Sequence, residues 1–170
     1  HHLIAYASPK YAGWQLILGS FTFKKFNDRD VDATSYRALY TNGGFYFAFG
    51  QVFIADEQTA RGEDEERNAA TLSYSWDRLS LVATVEQNDV ATGTLNDFTT
   101  YAAGGRFKFN DNWSTAVTYA DKNHHDEELD NSAVIGQVRR HFGDQAYLFA
   151  ETGQYDNSPS NYSVGVNLKF

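Results

Sequence analysis

The chain has 170 residues, a formal net charge of −8 and neither cysteine nor methionine. One domain is the expectation at this length; the acidic balance argues against a nucleic-acid partner, whose electrostatic footprint is basic, and the missing cysteines exclude disulfides, thiol catalysis and thiolate-held metal. Mean hydropathy is −0.53, and no stretch approaches the ~20 apolar residues of a spanning helix, which argues against a helical membrane protein but not against a barrel, whose strands show lipid only every second side chain.

His1, His2 and Leu3 lead straight into a strand-like pattern with no signal peptide before it, so the expectation is either a mature chain or one whose beginning is missing. Eleven strands are predicted, at 3–9, 11–23, 34–41, 45–55, 67–77, 79–88, 98–110, 113–123, 132–142, 146–155 and 161–170. Their signature is period two. Ala70, Leu72, Tyr74 and Trp76 alternate with Thr71, Ser73, Ser75 and Asp77. Leu79, Leu81, Ala83 and Val85 alternate with Ser80, Val82, Thr84 and Glu86. Tyr101, Ala103, Gly105, Phe107 and Phe109 alternate with Ala102, Gly104, Arg106 and Lys108. At the C-terminus Tyr162, Val164, Val166, Leu168 and Phe170 alternate with Ser163, Gly165, Asn167 and Lys169. No segment has the three-and-four spacing of an amphipathic helix.

The connections alternate in length. Short ones fall at SPKYAG, TNGG, WDR, FNDNW and HFGDQ; long ones fall at KKFNDRDVDA, DEQTARGEDEER, NDVATGTLND and KNHHDEELDN, with DNSPSN only slightly longer than the short set. Short turns on one rim and long loops on the other are what an up-and-down membrane barrel shows. Soluble β-sandwich strands also alternate, but they rarely join such unequal loops. Acids gather in the long connections: Asp28, Asp30, Asp32; Asp56, Glu57, Glu63, Asp64, Glu65, Glu66; Asp89, Asp97; Asp126, Glu127, Glu128, Asp130. Bases sit in the strands instead, and Arg37, Arg106, Lys108 and Lys169 each fall on the polar face of their own alternation.

Three strings carry a resemblance. LIAYASPKYAGWQ has a strand ending in Tyr-x-Ser-Pro (Tyr6, Ser8, Pro9), a turn, and an aromatic-Ala-Gly start to the next strand (Tyr11, Ala12, Gly13). SYRALYTNGGFYFAFGQVF has a hairpin turning at Asn42, Gly43 and Gly44, and YSVGVNLKF closes the sequence on Phe170. In order and spacing the chain resembles the Gram-negative general porins of the bacterial outer membrane. The resemblance implies an all-β, transmembrane, antiparallel up-and-down β-barrel that passes small polar solutes and ions by passive diffusion, without catalysis or cofactor. It further implies contact with outer-membrane lipid and lipopolysaccharide, and a homotrimer at full length. Tyr-x-Ser-Pro lies on the sixth of the family's sixteen strands, so residues 1–170 correspond to the last eleven, as one partial barrel domain without the first five strands and the constriction loop. The terminal Phe170 resembles the family's assembly signal. Ala5 and Ala7 stand where family members usually carry charges, so this stretch of wall is expected to be less charged.

A pore selects by diameter and by rings of charge. Candidate pore-lining residues are therefore the wall bases Arg37, Arg106, Lys108 and Lys169, with Glu86 on the polar face as an opposing acid. Glu151 is a weaker candidate, because both faces of its strand carry apolar residues, and the parity of 132–142 leaves open whether Arg139 or Arg140 faces inward. Tyr11, Trp14, Phe45, Trp76, Phe107, Phe109, Trp113 and Phe170, near strand ends, suit an interfacial girdle.

Other chemistry is weaker. His124, His125, Asp126, Glu127, Glu128 and Asp130 have metal-capable side chains, but a structural site needs convergent geometry that an acidic loop rarely supplies; divalent ions associating with it at the lipopolysaccharide surface is the milder reading. No catalytic triad or phosphate-binding loop is recognisable from spacing, and the glycosylation-type triplets at Asn112 and Asn161 lie on or beside strands. Two other function classes remain open. A barrel enzyme needs a His and Ser pair on the lipid side near the outer rim, whereas His141 sits by a short turn on the opposite rim. A surface binding or adhesion protein would act through the acidic loops, and loop truncation separates it from a channel.

Overall fold

The computed structural model describes residues 2–22, 32–55, 64–89, 97–124 and 129–168. Alternating aromatic, β-branched and small polar residues suit a pleated surface with one apolar side. They form β1 (His2–Ala7), β2 (Trp14–Thr22), β3 (Ala33–Asn42), β4 (Phe45–Ile54), β5 (Glu65–Trp76) and β6 (Leu79–Asp89), followed by β7 (Phe98–Asn110), β8 (Trp113–His124), β9 (Asn131–Phe142), β10 (Ala146–Tyr155) and β11 (Asn161–Leu168). All belong to one 11-stranded sheet in sequence order. Each strand runs antiparallel to the next, from β1–β2 through β10–β11. The sheet does not close on itself, so β1 and β11 are its edges.

Up-and-down order puts every short turn on one rim and every long connection on the other. The short rim is built from local turn chemistry. Ser8 joins β1 to β2: its N–H donates to the Leu16 carbonyl at 2.8 Å, and its Oγ accepts from the Leu16 N–H at 2.9 Å. Residue 11 reads as the start of the second strand, yet β2 begins at Trp14. Ala12 (φ 48°) and Gly13 (φ 88°) are left-handed, so Tyr11 and Trp14 pair across a tight turn instead. Asn110 closes the β7–β8 turn, its Oδ1 accepting from the backbone N–H of Asn112 at 2.9 Å and of Trp113 at 3.0 Å. A register shift between Lys108 and Asn110 is a β-bulge at that same end, which adds local twist.

The packing is inverted relative to a soluble domain. Among the described residues, Ala33 is the one buried apolar side chain. Val164 is 83 % exposed, Val117 53 % and Leu81 45 %. An uncovered apolar face across a whole sheet far exceeds the few hundred Å2, roughly, that soluble monomers leave bare. Hydrocarbon is the environment that removes this cost.

The β3–β4 turn gives a direct test of the wall's construction. Gly43 takes φ 57°, and a Cβ on Gly44 would lie 1.9 Å from the Ser75 carbonyl oxygen. The Gly44 carbonyl in turn accepts the Ser75 N–H at 2.8 Å. Gly44→Ala must push the hairpin off β5, at a cost on the order of 1–3 kcal/mol. The urea midpoint of the protein folded in detergent is expected to fall accordingly; an unchanged midpoint would show that this approach is not structural.

Candidate pore-lining face

Register pairs carry one face of the wall from strand to strand, because directly opposed residues point the same way. Arg37 lies opposite Gly50, Gly50 opposite Ala69, and Ala69 opposite Glu86. Further along, Ser80 of the same β6 face lies opposite Arg106, Arg106 opposite Ala116, Ala116 opposite Gln137, and Gln137 opposite Glu151. Lys108 is two residues from Arg106 and opposes Ser114. Arg37, Glu86, Arg106, Lys108 and Glu151 therefore share one face; Lys169 lies outside the described residues. This face is the concave one. Residues of β1 to β6, most of them of this parity and Arg37 and Glu86 among them, line a hollow of about 630 Å3.

The undecided parity of β9 is settled by β8. Ser114 faces with Lys108 and opposes Arg139, so Arg139 is on the concave face and Arg140 on the convex one. Apolar residues at Val134, Ile135 and Val138 occupy both parities of β9, which is why its own sequence is silent. The same rule places Arg67, Lys122 and Glu65 on the concave face. Arg67 was legible in principle: the Thr71, Ser73, Ser75 alternation extended upstream reaches it.

Polar partners order this face. Thr71 and Thr84 hydroxyls meet at 3.0 Å across β5–β6, and Ser75 donates to Ser80 at 2.9 Å. Asn88 Nδ2 donates to Glu86 Oε1 at 2.9 Å. Gln137 Nε2 donates to Glu151 Oε2 at 2.7 Å, and Arg139 Nε donates to Gln137 Oε1. The Arg139 guanidinium also lies over the Tyr147 ring, 4.9 Å from its centre. Arg67 pairs with Glu65 at 3.6 Å. Ser114 Oγ and His141 Nε2 are 3.0 Å apart, but Ser114 is only 1 % exposed, so its hydroxyl is not offered to a substrate. Among the described residues no group of three metal-capable side chains converges. His125, Asp126, Glu127 and Glu128 of the acidic loop lie outside them, while Asp130 accepts the His124 backbone N–H at 2.6 Å.

The convex face ends in a belt of rings at the short-turn rim. Trp14 and Tyr40 are 4.9 Å apart, Tyr40 and Phe45 5.9 Å, Tyr74 and Trp76 5.1 Å, and Phe107 and Phe109 5.3 Å. Arg140 reaches over Trp113 and Phe142, as an interfacial cation does among aromatics. Tyr40, Tyr74 and Phe142 join the set expected from sequence, while Phe170 lies outside the described residues. Toward the long connections the convex face turns polar: the Tyr36 hydroxyl donates to Gln51, Gln51 Nε2 donates to Glu66, and Asn68 Nδ2 donates to Glu66 at 2.7 Å. From Phe142 to Val134 the convex side of β9, apolar but for Arg140 near its short-turn end, runs roughly 26 Å at about 3.3 Å per residue, close to the ~25 Å band of outer-membrane barrels.

The chain matches no protein-family model and no curated protein sequence. Its fold does match solved structures. The anion-selective porin from Comamonas acidovorans superposes with a TM-score of 0.81 at 15% identity, over 99% of this chain and 59% of that one. The outer-membrane channel DcaP of Acinetobacter baumannii gives 0.68 at 11%, over 98% and 60%. The KdgM porin gives 0.57 at 12%, over 99% and 91%. The chain thus spans about three fifths of the first two. It has the all-β, antiparallel, up-and-down fold of outer-membrane porins and channels.

Because the chain has no cysteine, single cysteines can carry spin labels. In lipid, labels at 37, 86, 106 and 151 should be reached by a water-soluble relaxing agent, and labels at 72, 81, 85 and 166 by oxygen dissolved in the bilayer. Any strand whose labels report the opposite set has its register off by one residue.

Proposed function

We propose that this chain forms part of the wall of a water-filled channel in the bacterial outer membrane, through which small hydrophilic solutes and ions diffuse passively. The observation that carries this reading is the inverted wall: a bare, largely apolar convex face ending in an aromatic belt, and a concave face holding every lysine and arginine of the described strands except Arg140. In hydrocarbon only paired backbones span, and a barrel wall of this pattern leaves polar side chains an aqueous interior. Arg37, Glu86, Arg106, Lys108 and Glu151 then line the pore, with Lys169 following by parity of its strand. Lipid covers the convex face, and lipopolysaccharide stands against its polar upper zone at Gln51, Glu66 and Asn68.

Closure is the finer part of the proposal. With an odd number of up-and-down strands β1 and β11 run the same way, so pairing them with each other requires a parallel contact, unusual in a bacterial barrel. The motif resemblance and the three-fifths coverage of two porin-fold channels support closure by five further strands ahead of β1, in a sixteen-stranded subunit that assembles as a homotrimer.

Planar-bilayer recording tests this. The purified chain alone is expected to give no stable steps, and the chain joined upstream to the first five strands of a general porin is expected to give them. Stable porin-like steps from the chain alone would overturn the sixteen-strand reading. Silence from both would overturn the channel reading.

A further inference from the structure

The net charge of the sequence and the charge of its concave face have opposite signs. The strands place Arg37, Arg67, Arg106, Lys108, Lys122 and Arg139 on that face, against Glu65, Glu86 and Glu151. The excess is concentrated. Arg106, Lys108 and Arg139 stand on β7 and β9, in the half nearest the short turns, with the small residues Ser114 and Ala116 of β8 between them. Among the described residues no carboxylate lies within ion-pair distance of any of the three. Nearby Glu151 receives its hydrogen bond from Gln137.

Arg139 is held rather than loose. Gln137, itself fixed by Glu151, accepts its Nε–H, and Tyr147 supports the guanidinium plane. That bond uses one of the five donors of a guanidinium and leaves the terminal fork, which matches the geometry of a carboxylate or phosphate. Three cations with no ion-pair partner among the described residues repel one another, and a bound oxyanion relieves that repulsion. Between them on β8 stand Ser114, buried and within hydrogen-bond distance of His141 Nε2, and Ala116, neither of which carries charge.

We infer that Arg106, Lys108 and Arg139 form an oxyanion-binding strip on the concave face, taking small multivalent carboxylates or phosphates and giving the channel a preference for anions. The channel preference rests on the function proposed above; the binding does not. Gln137 and Glu151 are positioning residues for Arg139.

Two measurements test the strip. The first uses the chain itself, folded in detergent at low salt, with citrate titrated in a calorimeter. Citrate is expected to bind, and Arg106→Gln, Lys108→Gln and Arg139→Gln combined should weaken it roughly tenfold or more. Arg140→Gln, on the convex face, should leave it unchanged, and far-UV circular dichroism confirms that each variant is folded. No citrate binding, or equal loss with Arg140→Gln, overturns the strip. The second is the reversal potential across a KCl gradient in the closed, upstream-extended channel. Chloride preference that drops in the triple variant supports the inference. A potassium preference overturns the anion selectivity while leaving the channel standing, and absence of any conductance sinks the channel reading alone, with citrate still deciding the strip.

Discussion

Backbone pairing is the constraint from which the rest of this structure follows. In hydrocarbon an unpaired N–H or C=O costs several kcal/mol, roughly, so each strand needs a neighbour on both sides. The ladder satisfies this for β2 to β10 without a break and leaves one side each of β1 and β11 as an edge. Side chains are then free of the usual duty of making a core, and Ala33 is the one apolar side chain buried among the described residues. The sheet is held by hydrogen bonds and by cross-strand contacts such as Thr71 with Thr84. Stability and register become the same property, since a slip of one residue would turn lipid-facing leucines into the aqueous side and the charges into lipid.

That coupling explains what could be read from the sequence. Where one parity is consistently apolar, as in β5, β6, β7 and β11, the alternation alone gives strand, face and approximate ends. It fails where both parities are apolar. In β9, Val134 and Ile135 give no preference, and Arg139 and Arg140 differ only through the register that β8 imposes. Glu151 on β10 is ambiguous for the same reason and is placed by its pairing with Gln137. The early start expected for the second strand overlooks the left-handed pair Ala12 and Gly13, a backbone feature that Tyr11 and its strand-like neighbours conceal. Arg67 is missed because it adjoins an acidic loop, although its parity matches the polar face of β5.

Charge partition is a second consequence. The formal net charge of −8 arises chiefly in the connections, where acids are solvated cheaply. A wall position on the concave side can hold a base only because water reaches it, while the convex side tolerates a base only at its edge, as Arg140 does among Trp113 and Phe142. Net charge thus describes the rim and misreports the interior. For a solute in the proposed channel, the nearby fixed charges would matter more, since exposed charges beyond about 8–10 Å are largely screened in physiological salt.

The concave face is also uneven around its arc. On β1 and β2 it presents Leu3, Ala5, Ile17, Gly19 and Phe21, which carry no charge at all. On β7 and β9 the same face presents Arg106, Lys108 and Arg139. The apolar sector on β1–β2 and the basic one on β7–β9 make the field along this face uneven, with its strong side on β7–β9. In the proposed channel, polar solutes would lose less hydration near the fixed charges than beside Leu3 and Phe21, so the two sectors would offer a preferred lane and an avoided one. Selection by such a wall depends on where around the arc the charges lie as much as on how many there are.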